Sequence, residues 1–573
     1  MQRLFLLCLA LSLCACARQG APTGGPRDTV PPRIDSTAST PNYATNFQER
    51  EIRLRFDEWV VLADVATQVL VSPPLRTKRV PDISLKGKTV VVKIPEGEDL
   101  RPNTTYTINF GTAVKDLHEG NPAKDLRFVF STGSFIDSLK VEGYVFDAFK
   151  QEPVDNVAVM MYEELADSVP RKIKPFYFSR TDKLGFFSIP NVKAGRFKVM
   201  AVDDKDQNLL WNGGDERISF LPQPLDVTDT LRRPPLTLYL YTDQGVLRSK
   251  DRVSRNYGQV KITYNAPPDS VAVRSEPPGQ TLLREIQNDT LLLWYDRAAD
   301  STAAWQIIVG RDTVPVKTAL TRAAFLKTHR LTWGDEAPPA ATAPTVRRTG
   351  RSGTPAKTPA AAAKSVGQHL ARPALLPFSH PIVSADTSRW RLFVDTLRLS
   401  AYQVSPDSAS PRRLLLRTQW ASEKVHTLLL LPGAVTDLYG STNADTLSRK
   451  FLVTSEKALG DLNLAIKDLK PGIAYVLQLL SSGTTQEEER RFIATAEQQK
   501  LLFRQLPAAT YTARLIEDRN GNGRWDAGQY ATQRQPEALY LKTLPALRAS
   551  WELEATMSAT AQGNAGKKEN KRG

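Results

Sequence analysis

The residues with the clearest chemical pattern lie in one short segment, DRNGNGRWD, at positions 518–526. Oxygen-bearing side chains occupy positions 1, 3, 5 and 9 of this segment, namely Asp518, Asn520, Asn522 and Asp526. With Gly523 at position 6, the spacing is that of an EF-type calcium loop, in which alternate side chains point inward. Position 12 is Gln529 rather than glutamate, so the charge available to an ion is low. The segment therefore predicts either a weak Ca²⁺ site or an Asx- and Gly-rich β-turn.

A second segment repeats this spacing 314 positions earlier in the chain. Its oxygen-bearing residues are Asp204, Asp206, Asn208, Asn212 and Asp215. Leu209 stands where the later segment has Gly523, which disfavours a tight turn, so we predict the weaker of two calcium sites here. Trp211 and Trp525 also occupy matching places. Each indole would either stack on a sugar or peptide or cover the end of its own core, and the second role is favoured.

Catalytic motifs are missing from the sequence. It contains no G-x-S-x-G, H-E-x-x-H, Walker loop or G-x-G-x-x-G. The three cysteines all fall within the first 16 residues, which excludes disulfides, zinc–cysteine sites and a cysteine nucleophile from the rest of the chain. The five histidines are scattered, with no two at metal-ligand spacing: His118, His329, His369, His380 and His426. No pair of acids is marked for glycoside hydrolysis. We therefore expect a protein that is not an enzyme.

The net charge of +15 is concentrated in two segments of low complexity. Segment 337–373 holds six basic residues and no acid, and segment 557–573 holds four basic residues and one acid. Because most of the excess charge lies outside the predicted folded regions, it does not indicate a basic binding face. We therefore expect no nucleic-acid partner.

The N-terminus reads as an export signal. Arg3 precedes a ten-residue apolar run, Leu4–Leu13, which is too short to span a bilayer and suits the apolar part of a signal peptide. The following residues, Leu13 to Cys16, resemble a bacterial lipobox, which implies that Cys16 is lipidated after cleavage. Ordinary secretion with nearby cleavage is the alternative. Ala17, rather than aspartate, implies by resemblance to Gram-negative lipoproteins an outer-membrane anchor, with the periplasmic face favoured over the cell surface.

The rest of the chain is rich in short segments that alternate apolar and polar residues. Ile52, Leu54 and Phe56 alternate with arginines, and TVVVKI at 89–94 has the composition of a buried strand. Segment 486–500 has helix-like composition but contains FIAT, which is equally typical of a strand. Many short strands separated by turn residues predict an all-β protein made of β-sandwiches.

Two internal repeats organise these strands. Phe56–Asp64 aligns without gaps on Phe378–Asp386, and two later segments keep offsets of 321 and 323. Phe197–Asn212 aligns without gaps on Tyr511–Asp526, with an offset of 314. Two different modules near the N-terminus therefore recur in the same order near the C-terminus.

The first repeated module resembles a known family. TGGPRDTVPP, LRFDEWV, LRPNTTYTINFGTAVKDLHEGN and FVFSTG resemble the bacterial Ig-like domain of the S-layer SbsA type, which is found in outer-membrane lipoproteins. The resemblance covers residues 31–133 and extends to a second copy at 372–455, where Pro381 replaces Trp59. The second repeated module, with EGYVFDAFKQEPVDNVAV, resembles the carboxypeptidase regulatory-like, prealbumin-type sandwich, an accessory domain without catalysis.

The predicted architecture is thus a tandem array of Ig-like and prealbumin-like β-sandwiches joined by short linkers. The expected function is a lipid-anchored structural or interaction scaffold. The alternatives are a carbohydrate- or protein-binding accessory for envelope assembly or uptake, and a cryptic hydrolase. The expected partners are the membrane, through the lipid, and an envelope protein or glycan. The predicted domains are a signal peptide 1–16, a tether 17–32, an Ig-like domain 33–133, a carboxypeptidase regulatory-like sandwich 136–231, a further sandwich 232–333, a linker 334–373, a second Ig-like domain 374–455, a second prealbumin-like sandwich 456–556 and a basic tail 557–573.

Overall fold

The structure is a computed structural model. It describes residues 28–76, 81–214, 216–228, 234–245, 247–253, 257–268, 271–276, 282–296, 304–309, 312–317, 322–334, 365–481 and 485–560. The chain divides into two compact units, residues 1–240 and 241–573. Nearly all the regular structure is β, which confirms the predicted all-β class. No helix among the described residues is long and apolar enough to cross a membrane.

The first unit begins with an Ig-like sandwich, module 1. Its strands are β1 (Glu51–Arg55), β2 (Val60–Leu62), β3 (Leu70–Ser72), β4 (Asp82–Lys86), β5 (Thr89–Lys93), β6 (Thr105–Asn109), β7 (Val114–Asp116) and β8 (Arg127–Ser131), with a short helix α1 (Val65–Gln68). They form three antiparallel groups, β1-β5-β4, β3-β6-β8 and β2-β7. Ile52, Leu54 and Phe56 are buried, as their alternation predicts, because successive residues of a strand face opposite sides.

Module 2 follows, and the first unit ends within its last strand. Its elements are β9 (Leu139–Asp147), β10 (Ala158–Tyr162), α2 (Val169–Lys172), β11 (Tyr177–Arg180), β12 (Phe186–Val192), β13 (Gly195–Val202), β14 (Arg217–Phe220), β15 (Leu225–Val227) and β16 (Leu236–Thr242). Strand β9 pairs with β12 and, in parallel, with β16, while β10 pairs with β11 and β13. The predicted boundary at residue 231 is wrong, because Leu238 and Leu240 of β16 are buried in the core of module 2.

The second unit begins with module 3. Its elements are β17 (Ser249–Val253), β18 (Gln259–Tyr264), β19 (Val271–Glu276), β20 (Leu282–Gln287), β21 (Thr290–Tyr295), β22 (Ala304–Val309), β23 (Asp312–Lys317) and a helix α3 (Arg322–Thr328). The strands form two sheets, β17-β18-β21-β20 and β19-β22-β23.

Module 4 repeats the pairing of module 1. Its strands are β24 (Ser365–Gln368), β25 (Ala374–Pro377), β26 (Ile382–Ala385), β27 (Trp390–Val394), β28 (Leu397–Leu399), β29 (Tyr402–Pro406), β30 (Arg413–Thr418), β31 (Val425–Leu430), β32 (Val435–Asp437) and β33 (Leu447–Val453). The groups β25-β30-β29, β27-β31-β33 and β26-β32 correspond to β1-β5-β4, β3-β6-β8 and β2-β7. Strand β24, within the predicted linker, pairs in parallel with β33 at the edge of the sheet.

Module 5 repeats the pairing of module 2. Its strands are β34 (Leu459–Lys467), β35 (Ala474–Ser481), β36 (Thr485–Ile493), β37 (Gln499–Pro507), β38 (Tyr511–Asp518), β39 (Leu539–Thr543) and β40 (Glu552–Ser558). Strand β34 pairs with β37 and, in parallel, with β40, and β35 pairs with β36 and β38. The segment with helix-like composition, 486–500, forms parts of β36 and β37 because both strands pair along their length. Strand β40 continues two residues into the predicted tail, and Met557 is buried.

Candidate functional site

The segment predicted as a calcium site forms a compact loop directly after β38, here called the 518 loop (residues 518–526). Backbone N–H groups of Asn522 and Gly523 donate to the two carboxylate oxygens of Asp518, at 3.0 and 2.8 Å. Gly523 has a φ of +79°, a conformation that glycine adopts without strain. Asp518 is buried, so the loop folds around its first carboxylate.

The remaining candidate ligands of the 518 loop satisfy one another. The side-chain amides of Asn520 and Asn522 donate to Oδ2 of Asp526, at 2.6 and 2.8 Å. The Asn522 side-chain oxygen in turn accepts from the backbone N–H of Arg524 at 3.0 Å. This bond and the one from the backbone N–H of Asn522 to the Asn520 side-chain oxygen, at 3.1 Å, are those of consecutive Asx-turns. For a cation to bind beside Asp526, the side-chain amides of Asn520 and Asn522 would have to rotate so that their oxygens, and not their N–H groups, face it.

The earlier segment forms the same loop after β13, the 204 loop (residues 204–212). Backbone N–H groups of Asn208 and Leu209 donate to Asp204 at 3.0 and 3.4 Å, matching the bonds to Asp518. The side-chain amide of Asn212 donates to Asp206 at 2.9 Å, a bond between the same two loop positions as that joining Asn520 and Asp526. The gapless sequence repeat therefore encodes one loop conformation, even though Leu209, at a φ of +61°, replaces a glycine. Asp215 lies outside the described residues, as does Cys16.

The two loops differ in how their first carboxylate is neutralised. The Arg180 guanidinium lies 3.0 Å from Oδ2 of Asp204, and both side chains are almost fully buried. Burial raises the pKa of Asp204, and Arg180 opposes that shift. In the 518 loop, backbone N–H groups donate to both carboxylate oxygens of Asp518. Among the described residues, one ligand atom each from Asp204, Asp206 and Glu216 lies within 4.8 Å of the others, so the predicted ranking of the two loops stays a prediction.

Each loop is closed by a glutamate that the sequence analysis missed. Glu537 accepts hydrogen bonds from the backbone N–H groups of Arg519 and Asp526, at 2.8 and 3.0 Å. Glu216 accepts from the backbone N–H of Asn212 at 2.8 Å. Burial raises the pKa of both glutamates. The two glutamates follow their loops at different numbers of residues, so they do not align in the gapless repeat. The sequence signal that could have found them is an acidic residue one or two positions before the next strand.

The two matching tryptophans lie against protein groups, as the core-covering role predicts. Trp211 is 1% exposed, with the Arg171 guanidinium 3.8 Å from its ring centre. Trp525 is partly buried, and its indole N–H donates to the backbone oxygen of Glu537 at 2.8 Å.

We expect Ca²⁺ to stabilise module 5 through the 518 loop. With a Kd of about 10⁻⁴ to 10⁻³ M, roughly 1 mM Ca²⁺ would add roughly 0.4–1.4 kcal/mol to its free energy of unfolding. Hydrogen exchange of the full-length chain in EDTA and in Ca²⁺ measures this as slower exchange in residues 518–526. The Ca²⁺-dependent difference should vanish in Asp518→Ala/Asp526→Ala and persist in Asp204→Ala/Asp206→Ala. Equal exchange in both buffers would leave only the turn interpretation.

A second cluster joins residues that are remote in the sequence. Nε2 of His329, which directly follows α3, is in direct contact with Oδ2 of Asp437 at the end of β32, and both side chains are almost completely buried. The His380 ring lies 4.4 Å from that of His329, centre to centre. One ligand atom from each of the three side chains falls within 4.8 Å of the others. The linear spacing of these residues gave no sign of the cluster, because only the fold brings them together.

Module 5 also has an open cleft of about 330 Å³ beside an exposed indole. Trp551 is 61% exposed, and the Arg548 guanidinium lies 5.3 Å from its ring centre. Polar residues of the cleft include Glu456, Asp461, Gln505 and Glu552. The cleft thus combines one aromatic face with several hydrogen-bonding side chains.

Comparison with known proteins bears on the first module most directly. Residues 28–132 match the family described as bacterial Ig-like domain. This agrees with the resemblance inferred from the motifs of that segment and identifies module 1 as an Ig-like domain. No curated protein matches the chain.

Several solved structures are similar to parts of this chain, all at low identity. One is the I9–I11 tandem from titin, which matches at 11% identity with a TM-score of 0.11. The match covers 55% of this chain and 100% of the titin chain. Domains 1–6 of the surface layer protein SbsC match at 9% identity with a TM-score of 0.15. The match covers 91% of this chain and 68% of the SbsC chain. A third match is a Bacteroides ovatus protein, SGBP-B of a mixed-linkage glucan utilization locus, solved in complex with a mixed-linkage heptasaccharide. The identity is 9% and the TM-score is 0.16, and the match covers 64% of this chain and 85% of the SGBP-B chain.

Proposed function

We propose that this protein is a lipid-anchored, non-enzymatic scaffold of the bacterial envelope, tethered through Cys16. The observation that carries the proposal is that neighbouring modules within each unit are joined by buried or half-buried polar contacts. Such contacts fix the orientation of one sandwich on the next, whereas flexible linkers alone leave modules free to reorient. Buried polar contacts between its modules suit a chain that holds its binding surfaces in a fixed arrangement.

In the first unit, the joint between modules 1 and 2 is a small hydrogen-bonded network. The Thr105 hydroxyl, on β6, donates to Asp137 at 2.9 Å, and the Asp137 backbone N–H donates back to that hydroxyl at 2.9 Å. The Asn191 amide, on β12, donates to the backbone oxygen of Asp137 at 2.8 Å. The segment that connects the modules is thereby tied to strands on both sides.

In the second unit, modules 3 and 4 meet around a buried carboxylate. The Arg412 guanidinium donates two hydrogen bonds to Glu285, at 2.8 and 3.0 Å, and the Ser410 hydroxyl donates a third at 2.8 Å. The Glu285 side chain is 3% exposed. The Tyr439 hydroxyl adds a bond to the backbone oxygen of Gly258 at 3.0 Å. Charge-assisted bidentate bonds are directional, so this joint specifies an orientation.

Modules 4 and 5 are joined in the same manner. The Arg372 guanidinium lies 2.8 Å from a carboxylate oxygen of Glu488. Nε2 of His369 lies 2.6 Å from the backbone oxygen of Gln505, and burial lowers the pKa of that histidine. Since Arg372 and His369 precede β25, the end of the predicted linker is itself part of a joint.

The scaffold proposal is tested by crosslinking in intact envelopes, with the lipid retained. We expect reproducible crosslinks from both units to defined envelope components, and loss of these crosslinks in Cys16→Ser. Crosslinks that are the same for the anchored and the Cys16→Ser chain would contradict a role that depends on tethering.

The cleft beside Trp551 favours a second candidate function, glycan binding by module 5. An exposed aromatic face stacks on the apolar face of a sugar ring, and carboxylate and amide groups bind its hydroxyls. This function is compatible with a scaffold, since a tethered module would hold a glycan near the membrane.

We expect Trp551→Ala to weaken binding to an envelope polysaccharide at least about tenfold, which corresponds to roughly 1.4 kcal/mol. Affinity electrophoresis in gels that contain the polysaccharide measures the change as lost retardation. The matched control is Trp59→Ala, which removes an indole that is 54% exposed on module 1. Equal retardation of both variants and the unaltered chain would rule out this cleft as the glycan site.

A further inference from the structure

We propose that His329, His380 and Asp437 form a divalent transition-metal site that joins α3 to module 4, and that Zn²⁺ is the ion it takes. Two imidazoles and one carboxylate are a donor set typical of zinc, whereas Ca²⁺ and Mg²⁺ prefer sites made of oxygen alone. The site is distinct from the 204 loop, the 518 loop and the cleft beside Trp551.

Three separate chain segments supply the three side chains. His329 follows the last turn of α3, His380 lies between β25 and β26, and Asp437 ends β32. The side chains of His329 and Asp437 are 1% and 0% exposed. A buried carboxylate facing two imidazoles, with one ligand atom of each within 4.8 Å of the others, is a preassembled three-ligand arrangement.

Comparison with module 1 shows how the second Ig-like module creates this arrangement. In module 1, Asp116 is the counterpart of Asp437, and it accepts four backbone hydrogen bonds, three on Oδ1 and one, from Asn121, on Oδ2. In module 4 the turn is one residue shorter, and backbone N–H groups donate to Oδ1 of Asp437. Its Oδ2 is directed to His329 instead.

The residue at the position of His380 also differs between module 1 and module 4. Glu58 of module 1 stands where module 4 has His380. Module 1 therefore has the aspartate turn without an imidazole at the position of His380. It provides an internal example of the same turn used for structure alone.

One ring nitrogen of His380 has a hydrogen-bond partner, since its Nδ1 lies 2.9 Å from the Ser379 hydroxyl. We therefore assign Nε2 as the nitrogen that would bind the metal. Burial, with a smaller contribution from His329, lowers the pKa of His380 to about 4.

Packing holds the rings in place. The Phe325 ring lies 4.6 Å from that of His329, nearly parallel to it, and the Tyr439 ring contacts both histidines edge-on. Arg412, a cation that acts on His380, is paired with Glu285. A Zn²⁺ ion at about 2.0–2.1 Å from each ligand would require His329 and Asp437 to separate slightly, and its fourth position would be filled by water.

Zinc titration of the full-length chain tests the site. The protein is stripped with EDTA, freed of chelator and titrated with Zn²⁺ alone in a calorimeter. We expect one zinc per chain with a Kd in the micromolar range or below, and visible d–d bands when Co²⁺ replaces Zn²⁺. The key variant is His380→Asn, because an asparagine amide keeps the hydrogen bond to Ser379 but supplies no counterpart of Nε2.

The expected result is at least a hundredfold weaker zinc binding in His380→Asn, with its far-ultraviolet circular dichroism unchanged. His118→Asn, which removes an exposed histidine of module 1, should bind zinc as the unaltered chain does. If the unaltered chain takes up no stoichiometric zinc at 100 µM, or if His380→Asn binds equally well, the proposal is wrong and the cluster is only a hydrogen-bonded His–Asp pair.

Discussion

Replacing Cys16 by serine is expected to move the protein from the membrane fraction to the soluble fraction. The sulfur of Cys16 is the predicted acylation site, and without it the lipid has no attachment point. Acyl chains anchor a protein through the free energy of burying their methylene groups, about 0.8 kcal/mol for each CH₂. Fractionation together with labelling by an alkynyl fatty acid measures the change, and we expect loss of both membrane association and label.

Cys14→Ser is the matched control for this prediction. Leu13 would stand immediately before Cys14, where the lipobox has a small residue, so Cys14 is the poorer site and its variant should stay anchored. Processing that is insensitive to globomycin, or a Cys16→Ser chain that remains labelled, would show that the lipobox interpretation is wrong.

The strands were predictable because their pattern is local. Ile52 and Leu54 alternate with arginines, and the structure buries the apolar residues and exposes the others, as period-2 alternation requires. The repeats were equally informative. A gapless match between Phe197–Asn212 and Tyr511–Asp526 indicated shared structure, and both segments form a strand that leads into the same loop.

Pairing between remote strands was not predictable in this way. The strand at 236–242 was apparent from its composition, but its parallel partner β9 lies almost a hundred residues earlier. A parallel pair needs a long crossover, so neither a turn signal nor an offset in the repeat marks it. Strand β24 was hidden for a related reason, since it adds to an edge through backbone bonds that its composition does not reveal.

The polar clusters were the least predictable feature. His329 and Asp437 are 108 residues apart, and their contact depends on α3 packing against the end of β32. Glu285 and Arg412 are 127 residues apart and belong to different modules. Charged residues at these positions look like ordinary surface residues in the sequence. They are recognised as joint residues only when the fold shows that they are buried.

The last expected result concerns the joint at Glu285. Glu285→Gln should lower the local stability of β20 and β21 by up to about 3 kcal/mol, because it leaves the partly buried Arg412, 22% exposed, without its counter-charge. Hydrogen exchange measures this as a loss of protection in the two strands. The control is Asp395→Asn in module 4, whose partner Lys424 lies 3.0 Å away with both side chains 54% exposed. An exposed pair contributes about 0–1 kcal/mol, so its loss should change little.

The same joint should weaken in acid. Although burial alone would raise it, the hydrogen bonds from Arg412 and Ser410 hold the pKa of Glu285 below its ordinary value of 4.5. A carboxylate with a lowered pKa in the folded state stabilises that state above its unfolded-state pKa, and this contribution is lost as the pH falls through the folded-state value. Protection of β20 and β21 should therefore decline below about pH 4.5 in the unaltered chain and vary less in Glu285→Gln. Equal protection of the two chains at neutral pH would mean that this carboxylate does not fix module 3 on module 4, and the scaffold proposal would lose its strongest joint.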